Sequence, residues 1–125
     1  MYFMKAAVVQ ATPVLFDRAG TLDKVEQLTQ QAAGEGARLV LFPESFIPAY
    51  PRGLDFGTVV GSRSEAGRRQ WQHYRDQALA IPGPDVDRLA ACARRTETWL
   101  IIGVTERDEP GHTLYCSLLY FSPEG

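Results

Sequence analysis

Apolar and polar residues follow two different periods along this chain, one typical of strands and the other typical of helices. Four short apolar runs predict β-strands, at residues 4–10, 38–42, 99–107 and 113–121. Three segments with apolar residues at helical spacing predict helices, at residues 21–34, 63–80 and 85–96. Strands and helices that alternate in this order predict one domain of the α/β class, with helices packed on sheets.

Prolines, glycines and capping residues set the boundaries of these elements. Pro43 ends the second strand, because proline cannot donate to a strand ladder. Residues 45–61 contain several prolines and glycines and are predicted to form a loop, a common place for binding residues. Ser62 and Glu65 have the spacing of a capping box, which predicts the start of the second helix. The Pro-Gly-Pro run at 82–84 separates it from the third.

The last four residues, 122–125, form a Ser-Pro-Glu-Gly turn sequence directly after the predicted strand 113–121. Such a turn predicts a returning partner strand, which the sequence does not contain. We therefore expect strand 113–121 to have one unpaired edge. We interpret the chain as a truncated one, the N-terminal portion of a single domain over residues 1–125.

Composition and charge narrow the classes of function. The chain has 125 residues and a net charge of −2, and its basic residues form no stripe, which argues against nucleic-acid binding. Two cysteines and two histidines, all far apart in sequence, do not support a metal site. The apolar run near the start is too short for a signal peptide, and no run approaches the ~20 residues of a membrane span. We expect a cytoplasmic protein with no membrane partner.

Glu44 is the residue best placed for chemistry. It comes directly after the apolar strand 38–42, where the chain leaves the predicted sheet. Ligands of α/β proteins gather outside the carboxyl ends of strands, and a carboxylate there can act as a general base. A glutamate after a proline at the end of a strand is more often a solvated loop residue, and the dipeptide alone leaves both readings open.

The wider sequence resembles one family. The run LVLFPESFIPAYPRGLDFG is similar to the segment around the catalytic glutamate of the nitrilase superfamily, and AYPRG resembles its nitrile-hydrolysing branch. The likeness continues through GSRSEAGRRQWQHYRDQALAIPGPDVDRL, WLIIGVTERD and TLYCSLLYFSPEG, and so covers nearly the whole chain. The resemblance implies a nitrilase-type four-layer α-β-β-α sandwich, present here only as its N-terminal part.

The resemblance also implies a Glu-Lys-Cys catalytic set, in which Glu44 is the general base. The family's lysine and cysteine positions lie beyond this chain, and Lys5 and Lys24 match neither the place nor the setting of the lysine. The implied reaction converts a small nitrile to a carboxylic acid and ammonia, without a cofactor, in a homo-oligomer. The 125 residues alone are expected to be inactive. An amidase or carbamoylase of the same superfamily, or a non-catalytic fragment or interaction module, remain as alternatives.

Four further residues, Tyr50, Phe46, Cys92 and Cys116, are candidates for the site or for the core around it. The resemblance places Tyr50 near the substrate, where its hydroxyl would orient a bound group, although it can also be a loop tyrosine that closes over the core. Phe46 is expected to pack in the core, as is Cys92 in the third predicted helix. Cys116 lies in the middle of a predicted strand, where we expect it to pack between sheet and helix.

Overall fold

A five-stranded mixed sheet organises the fold, and a computed structural model describes it over residues 3–125. The elements are, in chain order, β1 (Ala6–Val8), α1 (Arg18–Gly34), β2 (Leu39–Leu41), β3 (Thr58–Val59), β4 (Ser62–Arg63), α2 (Glu65–Gln77), β5 (Leu79–Ala80), α3 (Pro84–Thr96), β6 (Trp99–Arg107) and β7 (Leu114–Phe121). The predicted α/β class is confirmed, because strands and helices alternate and two helices cover one side of the sheet.

Strand β6 is the centre of the sheet. Along one edge it pairs in parallel with β2 at residues 99–101 and with β5 at residues 106–107. Its other edge is filled over residues 100–107 by the antiparallel strand β7. Strand β1 pairs in parallel with β2, and β3 and β4 form a separate two-stranded hairpin. Among the described residues β7 pairs with β6 alone, as the turn sequence after it predicted.

Both ends of the second helix differ from the prediction. The second helix begins after Ser64, whose hydroxyl accepts from the backbone N–H of Gly67 at 3.0 Å. Ser62, the expected cap, instead pairs with Val59 in the β3–β4 hairpin, which lies partly in the predicted loop. The helix also ends at Gln77, because the next residues leave it and join the sheet as β5. Ser62 and Ser64 are both residues of a type that caps helices. Because Ser62 pairs in the hairpin, the helix begins after Ser64.

The hydrophobic core lies between the sheet and the pair of helices α1 and α3. It is built from buried residues of both layers: Leu22, Val25, Val40, Leu89, Ala93, Leu100, Ile102, Val104 and Phe121. Side chains alternate along a strand, so the neighbours of these residues point to the opposite face. On that face Val8 is 76%, Leu118 49% and Tyr120 63% exposed. The sheet therefore has one packed face and one open apolar face.

Helices α1 and α3 are also joined by an ionic cluster on their outer side. Arg88 of α3 donates to both carboxylate oxygens of Glu26 in α1, each at 3.0 Å, and also to Asp23. Arg95 adds a longer bond to Glu26 at 3.3 Å. Glu26 is mostly buried, and the hydrogen bond from Arg88 lowers the pKa of its carboxyl. Bidentate pairs of this kind are stronger than ordinary surface ion pairs.

This cluster predicts how stability depends on pH. The pKa of Glu26 is lower in the folded protein than its ordinary value of 4.5, so the pair stabilises the fold above that value. The contribution is lost as the pH falls through the folded pKa. We expect Glu26→Gln to lower the free energy of unfolding at pH 7 by about 1–2 kcal/mol, with a smaller difference at pH 3. Denaturant unfolding at both pH values measures this. Glu35→Gln, on an exposed carboxylate of the same region, is the control, and an equal loss in both variants would contradict the prediction.

Candidate active site

Glu44 lies on a segment that continues β2 along the edge of β6. The carbonyl of Pro43 accepts from the backbone N–H of Gly103 at 3.2 Å, and the N–H of Phe46 donates to the carbonyl of Gly103 at 2.8 Å. A further bond joins the N–H of Thr105 to the carbonyl of Ile47 at 2.8 Å. Glu44 is thus held between backbone bonds on both sides, at the carboxyl end of β2, while its own side chain is exposed.

The close approach of this segment to β6 depends on Gly103. A Cβ atom added at Gly103 would lie 2.5 Å from the Cα of Glu44 and 2.5 Å from the carbonyl oxygen of Pro43. Real Cβ atoms do not approach backbone so closely, so any side chain at position 103 would push the segment away. Ser45, which follows Glu44, has a φ of +46°, in the left-handed region that residues other than glycine rarely adopt. Gly103 and Ser45 together set the position of Glu44.

Two aromatic side chains in the core anchor the segment that carries Glu44. Phe42 and Phe46 are both 2% exposed, and their ring centroids lie 5.2 Å apart in a tilted arrangement. Ile47 is completely buried beside them. The prediction that Phe46 packs in the core is confirmed. Because the residues on both sides of Glu44 are fixed in the core, its backbone has little freedom to move.

A thiol lies next to the Glu44 carboxylate. The Sγ atom of Cys116 donates to Oε1 of Glu44 at 3.2 Å and lies 3.6 Å from the hydroxyl of Ser45. The expectation that Cys116 packs between sheet and helix is wrong. The register pairs it with Thr105, on the opposite face from Leu119 and Phe121, which pack toward the helices. The sequence around it gave no signal of this, because apolar residues occupy both faces of β7.

The carboxylate and the thiol border an open cavity of about 550 Å³. Its walls are mainly apolar and include Val8, Leu41 and Leu118 from strands β1, β2 and β7. The cavity lies on the open face of the sheet, at the carboxyl end of the parallel strands. This arrangement places one carboxylate at the edge of a hydrophobic surface, where a small organic molecule could reach it.

Two tyrosines lie near this region and differ in burial. Tyr50, a candidate from the sequence, is 62% exposed on the loop after Glu44. Tyr74 of α2 is buried, and its hydroxyl lies 2.9 Å from the hydroxyl of Thr105, the residue paired with Cys116. Burial raises the pKa of the Tyr74 phenol, with the bond to Thr105 acting in the opposite direction. Tyr74 therefore supports the strand beneath the site, whereas Tyr50 is exposed and is not among the residues that line the cavity.

The other thiol and the lysines are placed away from Glu44. Cys92 is completely buried in α3, and burial raises the pKa of its thiol, so its predicted packing role is confirmed. Lys5 donates to the backbone carbonyl of Glu35 at 2.6 Å, at the opposite end of the sheet. Lys24 donates to the backbone carbonyl of Thr12 at 2.7 Å. Each lysine is thus bonded to backbone outside the cavity.

Over residues 3–125 no helix has the length and apolar character that crossing a bilayer requires. In the same range His, Cys, Asp and Glu side chains do not gather in groups of three or more that could hold a metal ion.

A fold of this kind with a glutamate at the carboxyl end of β2 matches a known hydrolase family. The sequence model described as Carbon-nitrogen hydrolase matches residues 5–125, so the chain belongs to the carbon–nitrogen hydrolase family. Among curated relatives, the bifunctional nitrilase/nitrile hydratase NIT4B of Nicotiana tabacum is 48% identical over 98% of this chain. Nitrilase 3 of Arabidopsis thaliana is 46% identical over the same share. The resemblance to plant nitrilases is thus established, and the chain spans about a third of these relatives, 34% and 35% of their lengths.

Solved structures agree on the fold. XC1258 of Xanthomonas campestris, described as a CN-hydrolase superfamily protein with an arsenic adduct in the active site, has a TM-score of 0.66 and 27% identity. The match covers 99% of this chain and 38% of that structure. A mutant of the amidase from Nesterenkonia sp. AN1 in complex with acrylamide gives 0.63 at 21% identity, over 97% of this chain and 39% of the other. The predicted nitrilase-type fold, with these residues as its N-terminal part, is confirmed.

Proposed function

We propose that residues 1–125 are the N-terminal portion of one carbon–nitrogen hydrolase domain in a nitrilase, which converts a nitrile to a carboxylic acid and ammonia. Glu44 is its general base. The observation that supports this role is the exposed carboxylate held at the edge of the cavity by backbone bonds on both sides. The 45–48% identity to plant nitrilases supports the choice of nitriles as substrates.

In this proposal the rest of the protein supplies a cysteine and a lysine. Glu44 takes the proton of that cysteine, and the thiolate attacks the nitrile carbon to form a covalent thioimidate. The lysine stabilises the negative charge that develops on the nitrogen. A first water adds to the thioimidate and ammonia leaves. Glu44 then activates a second water, which cleaves the resulting thioester and releases the acid. No cofactor takes part.

We further propose a substrate contact for Tyr50 and a place for the protein in the cell. Tyr50 contacts the substrate, since its side chain is exposed on the loop that follows Glu44. The protein works in the cytoplasm on a small nitrile, as a homo-oligomer. The open apolar face of the sheet is covered in the complete protein by the remainder of the domain, which also brings the cysteine and lysine to the cavity. Residues 1–125 alone are therefore inactive.

An amidase of the same family is the second candidate. The solved amidase from Nesterenkonia sp. AN1 shares the fold, although 21% identity supports no more than that. Both activities would use Glu44 in the same way, so the substrate and not the base separates them. The names of several plant relatives include nitrile hydratase, an activity that converts a nitrile to an amide. The amide is therefore a second product to measure.

The products formed by the complete protein test the proposal. We expect nitriles to give acid and ammonia, with amide as a minor product, and amides to be poor substrates. Chromatography of the products and an ammonia assay measure both quantities. Rapid hydrolysis of amides with no turnover of nitriles would replace the nitrilase by the amidase. Activity in neither assay would favour a non-catalytic module. Ammonia release by residues 1–125 alone would contradict the division of the site between two portions of the domain.

A further inference from the structure

The thiol of Cys116 has no part in the proposed reaction, although it contacts the base directly. Its Sγ atom lies 3.2 Å from Oε1 of Glu44, with the hydroxyl of Ser45 at 3.6 Å on another side. The Glu44 carboxylate has two oxygens and can accept several bonds at once. A bond from Cys116 to Oε1 therefore leaves room for a bond from a second thiol during the reaction.

The sheet fixes the thiol more firmly than it fixes the carboxylate. Cys116 lies in the middle of β7, in a continuous antiparallel register with β6 that runs over residues 100–107. Its direct partner, Thr105, is itself held by the buried hydroxyl of Tyr74 at 2.9 Å. Glu44, by contrast, has a long side chain that is exposed to the cavity and can adopt several rotamers. The S–H group of Cys116, fixed in strand β7, thus donates to the side chain of Glu44, which has more freedom to rotate.

We propose that Cys116 is a positioning residue, whose S–H group holds the Glu44 carboxylate in the orientation that accepts a proton. The inference rests on the proposed function of Glu44 and adds a second residue that acts through it. An S–H group is a weak donor, so its effect comes from limiting the rotamers of Glu44 and not from a strong bond. We expect its loss to lower kcat about tenfold, because small misplacements of a catalytic group are costly.

The test compares variants at position 116 in the complete protein. Cys116→Ser keeps a hydrogen-bond donor, whereas Cys116→Ala and the strand-forming Cys116→Val remove it. We expect the serine variant to stay within about threefold of the unmodified enzyme. The alanine and valine variants should lose about tenfold in kcat with KM nearly unchanged. Melting temperatures identify any variant that fails to fold, and two variants without a donor guard against that outcome. Cys92→Ala, which removes the other thiol, should keep its kcat per folded molecule.

A double-mutant cycle separates positioning from a structural effect. If Cys116 acts through Glu44, adding Cys116→Ala to Glu44→Gln should lower the residual rate no further. Equal rates in the serine and alanine variants, or additive losses in the cycle, would overturn the inference. So would a covalent substrate adduct on Cys116 in mass spectrometry, since Cys116 would then be the nucleophile. Full activity in Glu44→Gln alone would instead refute the proposed function, and the two failures are thus distinguishable.

Discussion

Replacing Glu44 with glutamine should lower kcat of the complete enzyme by about 10²–10⁴-fold, the usual cost of losing a general base. Glutamine has nearly the same size and can still accept a bond from Cys116, but it cannot take a proton from the attacking thiol. Because the side chain is exposed and the backbone is held by Pro43 and Phe46, the fold should persist. Initial rates of ammonia release, with circular dichroism for folding, measure the two effects separately.

The matched control is Glu65→Gln. Glu65 is an exposed glutamate in the first turn of α2, where its carboxylate pairs with Arg69 of the same helix. Its replacement should leave kcat within about twofold, because surface ion pairs contribute little to a distant site. Turnover by Glu44→Gln close to that of the Glu65→Gln control would remove Glu44 from the mechanism.

A single methyl group at position 103 should have the second largest effect. In Gly103→Ala the new Cβ would lie 2.5 Å from the Cα of Glu44, so the segment from Pro43 to Ser45 has to move outward. A shift of about 1 Å at a catalytic group costs roughly 10²-fold in rate. Overpacking should also lower the free energy of unfolding by about 1–3 kcal/mol. Steady-state kinetics and denaturant unfolding on the same preparation measure both changes.

Gly34→Ala provides the comparison for Gly103→Ala. Gly34 lies in the last turn of α1, and an added Cβ there meets no described atom within 4 Å. The same chemical change should raise the free energy of unfolding by about 0.5–1 kcal/mol, since alanine restricts the unfolded chain more than glycine does. Gly103→Ala with unchanged kcat would show that Glu44 keeps its position without the close approach of its segment to β6.

Local sequence order located Glu44 at the end of a strand, and the resemblance of the wider sequence to the nitrilase superfamily implied its role, but neither indicated its surroundings. An apolar run followed by Pro-Glu places the acid at the end of β2, and this depends only on neighbouring residues. The role of Gly103 depends on a contact between segments about 60 residues apart, which no local pattern reports. Cys116 was assigned to the wrong side of its strand for a related reason. Leucines and tyrosines stand at both odd and even positions of β7, so alternation does not reveal which face is buried.

The helix and strand assignments show the same distinction. Amphipathic spacing located α1 and α3, whose buried residues Leu22, Val25, Leu89 and Ala93 lie on single faces. The hairpin of β3 and β4 was missed, because its four residues carry no apolar alternation and pair only with each other. The sequence predicts the residues of strand β5 as the end of a helix, since two residues are too few to show a period of their own. Short elements are thus determined by their partners.

The open apolar face of the sheet has a consequence for biosynthesis. In a protein as long as the plant relatives, the N-terminal portion of the domain leaves the ribosome before the rest of it, which takes roughly tens of seconds to make. During that interval Val8, Leu118 and Tyr120 stay uncovered, together with the free edge of β7. Exposed apolar surface and unpaired strand edges attract other nascent chains. We therefore expect a nascent chain that has reached only this stage to bind molecular chaperones, which shield exposed apolar surface.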